Sequence, residues 1–400
     1  MKVEIDNHLD SFNYDIRKTG NARFIDQKVT PDVLYVIANC VIHFIDNSSN
    51  NFFSTKDIWE SKFANDEVKY IFNKPDVMNS RARSEYDKFF AQPLKMLEYA
   101  KILDSKKIGN INYYSVSKRS ILEYISFRER NCFDFINQYL IKVLSDSGIW
   151  NLFNNFYKSN TKENFNLLKD GFVEFMINYT KINKPTEPKR IFTKIINPLA
   201  HFKKSRGTER GFLSKDIIGF DELLYNRKNW RDIKKVKGQT RSGYEEEATK
   251  DLKKRQSAYT QFTMHQAKKL IEKRYQKISE VQDEYAIGDA TQIHHIFPRN
   301  EFELIESYVE NLIALTPTQH FTKAHPNNNT RRIDKAYQYV CLLSKCNSIK
   351  ESTEVLFDGF YSKESFNFVL NTGLSTNIFT SDLSFEEIKN KLTSMYHGST

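Results

Sequence analysis

The sequence predicts an α+β protein dominated by helix. Long stretches place apolar residues three and four positions apart, whereas runs of alternating or β-prone residues are few and short. At 400 residues the chain exceeds what one ordinary core organises, and its character changes along its length. It reads as three parts, 1–120, 121–285 and 286–400. Apolar residues make up 40% of the chain, enough to fill such cores.

The first part has its own grammar. "TPDVLYVIANCVIHFID" opens with Thr30 at an N-cap and Pro31 at the first helical position, and Leu34, Ile37, Ala38, Val41 and Ile45 follow at helical spacing. "STKDIW" signals a second start, with Ser54 as cap and Asp57 in the first turn. "RSEYDKFFAQPLKMLEYAKIL" gives a third helix, expected to kink near Pro93, and "NINYYSVSK" a strand of a small hairpin. Three helices followed by a hairpin resemble a winged helix, which implies a DNA-recognition domain over 1–120.

From 121 to 180 the chain is aromatic-rich and reads as helical core. "NKPTEPKR" carries two prolines and is expected to be a linker near 183–190. A basic belt follows. Lys and Arg outnumber Asp and Glu by 60 to 50 over the whole chain, and by 15 to 5 between Lys189 and Arg241, so this window carries the entire +10 surplus. Such a belt attracts phosphate backbones by counterion release. Within it Gly207 and Gly211 lie among Lys203, Lys204, Arg206 and Arg210, where glycine allows close backbone approach and the cations suit phosphates. Arg227, Asn229 and Arg231 add side chains able to read base edges. "SGYEEEATKDLKKRQSAYTQFTMHQAKKLIEKRYQKISEVQDEY" is expected to form a long, solvated connector helix.

No run of apolar residues is long enough for a membrane span, and "MKVEIDNHLDSF" lacks the apolar core of a secretory leader. A cytoplasmic location is expected. Cys40, Cys132, Cys341 and Cys346 form no CxxC pair, so neither a zinc ribbon nor a disulfide framework is indicated. Cys341 and Cys346 are expected to be reduced core residues on a helix.

The densest chemistry lies in "QIHHIFPRNEF", residues 292–302. In a strand, neighbouring side chains point to opposite faces, so His294 and His295 are set up for different tasks. Downstream, "ENLIALT" is a second short apolar strand with Asn311 at its edge. Thr316 and Pro317 then cap and open a helix whose first turn holds His320, and Pro326 ends it around His325. Five residues of α-helix leave two side chains about 140° apart, so His320 and His325 are not expected to share a face.

The order strand with two histidines, loop, strand with Asn, helix with histidine resembles the HNH nucleases, whose fold is the ββα-metal motif. "HH" at 294 and 295, Asn311 in "ENLIALT" and "HFTK" from His320 carry the resemblance. It implies that His294 and His320 hold a divalent metal, that His295 is the general base, and that Asn311 fixes the loop. The chain lacks the paired CxxC motifs that frame many members of this family, and His325 and Asn329 stand close enough to replace or supplement His320. The chemistry asks for these residue types. A phosphodiester anion repels hydroxide, which a metal cation offsets, and a neutral imidazole activates water near pH 7. Lys323, one turn after His320, and Arg299 are candidate phosphate contacts.

The remaining "RRIDKAYQYVCLLSKC" and "SFEEIKNKLTSMY", the latter with a capping-box signal at Ser384 and Glu387, are expected to be helices around the motif. The proportions resemble a type II restriction endonuclease of the HNH class. That implies Mg2+ with Mn2+ as substitute, duplex DNA as substrate, a homodimer, and a cognate DNA methyltransferase as functional partner. The competing reading is a non-enzymatic winged-helix regulator with a structural metal. The absence of Cys near the histidines counts against it.

Overall fold

The computed structural model describes residues 1–48, 50–72, 74, 83–225, 241–326 and 333–398, with the backbone alone at 83 and 241–255. The chain is mostly helical with small antiparallel sheets, as the sequence predicts. It gathers into two compact units, Lys2–Tyr259 and Thr260–Thr400. Residue 120 falls inside the first unit, and the second begins before residue 286.

The N-terminal unit opens with α1 (Lys2–Asp10), α2 (Ile16–Thr19), α3 (Pro31–Asn47), β1 (Phe53–Ser54), α4 (Thr55–Glu60), α5 (Lys62–Phe72), α6 (Arg83–Tyr99), β2 (Leu103–Ile108) and β3 (Ile111–Val116). α3 begins where Thr30 and Pro31 place it, although the Thr30 hydroxyl bonds Asp32 Oδ1 at 2.7 Å instead of capping the helix. It is apolar on nearly every side and buried accordingly, packed by α5, α6 and the helix Glu129–Asp146. Ser54 and Asp57 form the expected reciprocal cap, Asp57 N to Ser54 Oγ at 3.2 Å and Ser54 N to Asp57 Oδ2 at 2.8 Å. The three strands are antiparallel in the order β1-β3-β2, with Phe53 opposite Tyr114 and Leu103 opposite Val116.

The unit continues with α7 (Arg119–Ile125), α8 (Glu129–Asp146), α9 (Trp150–Lys158), α10 (Lys162–Tyr179), α11 (Thr186–Phe202), β4 (Arg206–Glu209) and β5 (Phe212–Ile217). The linker expected at 183–190 is a correction: α11 starts at Thr186. Pro185 is its N-cap and Pro188 sits in its first turn, where an absent N–H costs nothing. The front of the basic belt is therefore an amphipathic helix that buries Ile191, Ile195, Ile196 and Leu199, followed by the β4–β5 hairpin.

α12 (Arg241–Tyr275) is the expected long helix, and the division between the units falls within it. It is shorter than predicted, stopping where Gln276 and Lys277 take φ of 47° and 70°. It is not wholly solvated either, since Phe262, Met264, Ala267 and Ile271 are buried. The C-terminal unit then holds β6 (Gln292–His295), β7 (Leu312–Leu315), α13 (Lys335–Lys350), α14 (Lys363–Gly373) and α15 (Phe385–His397). Its core includes a fully buried ion pair, Lys345 Nζ to Glu280 Oε2 at 2.6 Å, which also reaches β7 through Ala314 N to Glu280 Oε1 at 3.1 Å. α14 comes so close to the segment after β6 that a Cβ on Gly373 would sit 2.4 Å from the Phe297 ring. Ser384 and Glu387 cap α15 as predicted. All four cysteines are free and buried. Among the described residues no helix is long and apolar enough to cross a membrane.

Candidate metal centre

β6 and β7 pair antiparallel, with His294 opposite Ile313 and His295 opposite Leu312. Alternation along β6 sends the two histidines to opposite faces. His294 is 5% exposed, and His295 is half-buried.

Asn311, fully buried just before β7, closes the loop between the strands. Its Oδ1 accepts from Phe297 N at 2.8 Å, and its Nδ2 donates to the carbonyls of Phe297 at 3.1 Å and Ile305 at 3.2 Å. Its own carbonyl accepts from Ile296 N at 2.9 Å. A neutral amide meets these demands without bringing a charge into the interior.

His295 Nε2 lies 3.1 Å from the Glu306 carbonyl. A carbonyl only accepts, so Nε2 carries the hydrogen and Nδ1 keeps the lone pair. Burial, reinforced by the nearby Lys268 and Arg299 cations and opposed by the Glu306 carbonyl, holds the ring down to about 4. His295 is therefore neutral at pH 7, with its Nδ1 unprotonated.

The turn after β7 departs from expectation. Thr316 and Pro317 open a helix as predicted, and His320 N bonds Thr316 O at 3.0 Å in the α pattern. Residues Gln319–Ala324 then widen into a π-turn, in which His325 N bonds His320 O at 3.0 Å, five residues back. This corrects the separation of His320 and His325. Counting 100° per residue puts them on different faces, but an i→i+5 turn stacks them.

The outcome is a cluster. The rings of His294, His320 and His325 lie 5.2 Å (294–320), 4.9 Å (294–325) and 4.9 Å (320–325) apart between centroids. One nitrogen from each falls within 4.8 Å of the other two. His294 Nε2 and His320 Nδ1 are buried without a hydrogen-bond partner. Burial, followed by the fields of His325, His320 and His295, pushes His294 well below its ordinary value; burial and His325 lower His320 to about 4. Two buried, unpartnered imidazole nitrogens in a cluster of three histidines are costly without a cation and suited to one. Three imidazoles are the donor set of a site with an open position rather than of a closed structural site. Among the described residues no carboxylate joins this cluster.

Other expected site residues fare differently. Lys323 stands near the cluster in sequence, but its Nζ lies 3.9 Å from the centre of the Tyr285 ring. Arg299 pairs with Glu306 at 3.2 Å. In the N-terminal unit Lys203, Lys204 and Arg210 are exposed, with Arg210 Nε 3.9 Å from Glu209. Arg206 is turned inward, its Nε bonding Asn160 Oδ1 at 2.9 Å and its other nitrogen bonding the Asn160 carbonyl. Gly207 serves packing, since a Cβ there would meet Asn197 Oδ1 at 2.6 Å. Arg227, Asn229, Arg231 and Asn329 lie outside the described residues.

Sequence reasoning passed over Lys268 beside His295, which comes from the connector helix and carried no local signal. It also passed over Gln319, which did: "TPTQ" from Thr316 is the pattern of a capping box. The chain matches no family model, no curated protein and no solved structure.

Proposed function

We propose that the chain is a metal-dependent endonuclease of the HNH kind that hydrolyses phosphodiester bonds of duplex DNA. One observation carries this reading. Two adjacent residues of one strand are divided between a three-imidazole cluster and a separately held, neutral histidine with a free Nδ1. A cation held by His294, His320 and His325 would supply positive charge against the phosphate. His295 Nδ1 takes the proton of the attacking water, while the Glu306 carbonyl fixes its tautomer and orientation. Asn311 keeps the loop from drawing His295 away from β6.

The donor set bears on the ion. Mg2+ prefers oxygen and keeps much of its water, whereas imidazole suits transition ions. Mn2+ is accordingly proposed to serve at least as well as Mg2+. Three ligands with an open position favour catalysis over the structural metal of a regulator.

For the N-terminal unit we propose DNA recognition. Helices ahead of a hairpin, with strand order β1-β3-β2, resemble a winged helix, and Lys203, Lys204 and Arg210 on its surface suit a phosphate backbone. The whole is read as a sequence-specific restriction enzyme of the cytoplasm, acting as a homodimer so that two sites face two strands, alongside a cognate methyltransferase.

Supercoiled plasmid incubated with Mn2+ or Mg2+ tests the reading. Conversion to linear product that disappears with chelator and in His295→Ala supports it. Intact plasmid over a wide range of enzyme and ion concentrations, from protein shown to bind the ion, rejects it in favour of a binding protein.

A further inference from the structure

We propose that Gln319 is a positioning residue for the histidine cluster, an inference that rests on the metal reading of that site and deepens it. Gln319 is fully buried. Its Oε1 accepts from Thr316 N at 3.0 Å and Ser279 Oγ at 2.6 Å, and its Nε2 donates to Val281 O at 2.8 Å and Asp283 Oδ1 at 2.8 Å. All four hydrogen-bonding positions of the carboxamide are thus used. Gln319 N in turn donates to Thr316 Oγ1 at 3.2 Å, completing a reciprocal cap. The first turn of the helix is pinned to segment 279–283 by a single side chain.

Gln319 also sits where the backbone changes pattern. His320 N, the next amide, still bonds four residues back, and His325 N bonds five back. A π-turn is rare and persists where its surroundings over-determine it. At its far end Asp334 N holds the Ala324 carbonyl at 2.9 Å; at its near end Gln319 makes four of the holding bonds and the Thr316 hydroxyl a fifth, to the Tyr285 carbonyl at 2.9 Å. Released from that hold, the segment relaxes to α spacing, and His325 swings about 140° from His320. The three-histidine cluster becomes a pair. Gln319 touches no ion and no substrate. It acts by keeping His325 within reach.

The experiment uses the full chain and Co2+ as probe, because Co2+ visible bands are intense in four-coordinate sites and weak in six-coordinate ones. Wild type is expected to give intense bands. Gln319→Ala is expected to give the weaker spectrum of His325→Ala and to loosen Co2+ by roughly 10- to 100-fold, the range for outer-shell partners. Gln319→Glu keeps both accepting contacts, loses both donated bonds and faces Asp283, so it should fall between the two. Melting in chelator reports folding separately, and Gln319→Glu carries the test if the alanine variant does not fold. A folded variant that melts lower yet keeps the wild-type spectrum and affinity overturns the inference and leaves the metal reading standing. A wild-type chain that takes up no Co2+ overturns both.

Discussion

The amide of His325 donates to the carbonyl of His320 at 3.0 Å, one residue further back than an α-helix allows. That bond sets two imidazoles side by side and brings both within ligand distance of His294 on β6. It makes the site a trio where the sequence read a pair.

The first prediction is that His325 matters as much as His320. Each supplies one nitrogen to the same point, so His320→Ala and His325→Ala should each weaken Co2+ or Zn2+ binding by more than about 10-fold in calorimetric titration. A His325→Ala protein with wild-type affinity would remove it from the ligand set and restore the simple two-histidine site.

The second concerns the neighbour of His294. His295 lies outside the cluster and is tied to the Glu306 carbonyl. His295→Ala should lower plasmid cleavage by roughly 10²- to 10⁴-fold, the usual worth of a general base, while ion affinity changes less than a few-fold. Loss of ion binding together with cutting would instead mark His295 as part of the metal shell.

Much of this site was legible because it depends on local rules. Alternation separated His294 from His295, and Thr316 with Pro317 marked the helix start. Asn311 closes the loop as read. The π-turn was not legible, because periodicity counts assume one helical pitch, and the bonds that hold the wider turn come from segment 279–283. The charge of Lys268 on α12 acts on His295 from outside the motif. The linker expected at 183–190 holds only as far as residue 185, and the excess had a different cause: prolines that read as breakers are tolerated in a first turn. β2, "LDSKKI", is largely exposed and polar, so it showed no apolar period and had to be inferred from its partner β3.

The third prediction separates surface cations from structural ones. Lys203 and Lys204 are exposed, whereas Arg206 is bound to Asn160. If the belt meets DNA, neutralising both lysines should flatten the slope of log affinity against log salt by about two units, near 0.9 per phosphate. Arg206→Gln should leave the slope alone and lower the melting temperature. A slope that responds to Arg206 and not to the lysines would reverse the assignment.

The fourth tests the foundation beneath β7. Lys345 and Glu280 are fully buried, and Glu280 also holds Ala314 N while Lys345 Nζ bonds Tyr361 Oη at 2.7 Å. Lys345→Met leaves a buried carboxylate without its cation, which should cost about 3–5 kcal/mol in denaturant unfolding. Adding Glu280→Gln should recover part of that loss. A single variant within about 1 kcal/mol of wild type would mean that water reaches the pair.

The last prediction is a pH dependence in the N-terminal unit. Glu85 Oε1 accepts from Lys74 Nζ at 2.6 Å and from Lys28 Nζ at 3.3 Å, and both lysines also reach the Tyr225 hydroxyl, at 2.9 and 3.1 Å. The Lys74 hydrogen bond, outweighing burial, brings Glu85 from its ordinary 4.5 down to about 2. A carboxylate whose folded value is depressed binds fewer protons folded than unfolded between those limits, so stability rises with pH there. Its contribution is full above about 4.5 and is lost as pH falls through about 2. Glu85 is 41% exposed, so solvent screening reduces the effect to about 1 kcal/mol. Glu85→Gln should therefore melt below wild type at pH 7, and the two curves should converge as the pH approaches 2. A gap of constant size from pH 7 to pH 2 would show that the loss comes from packing or amide geometry and not from the charge on Glu85.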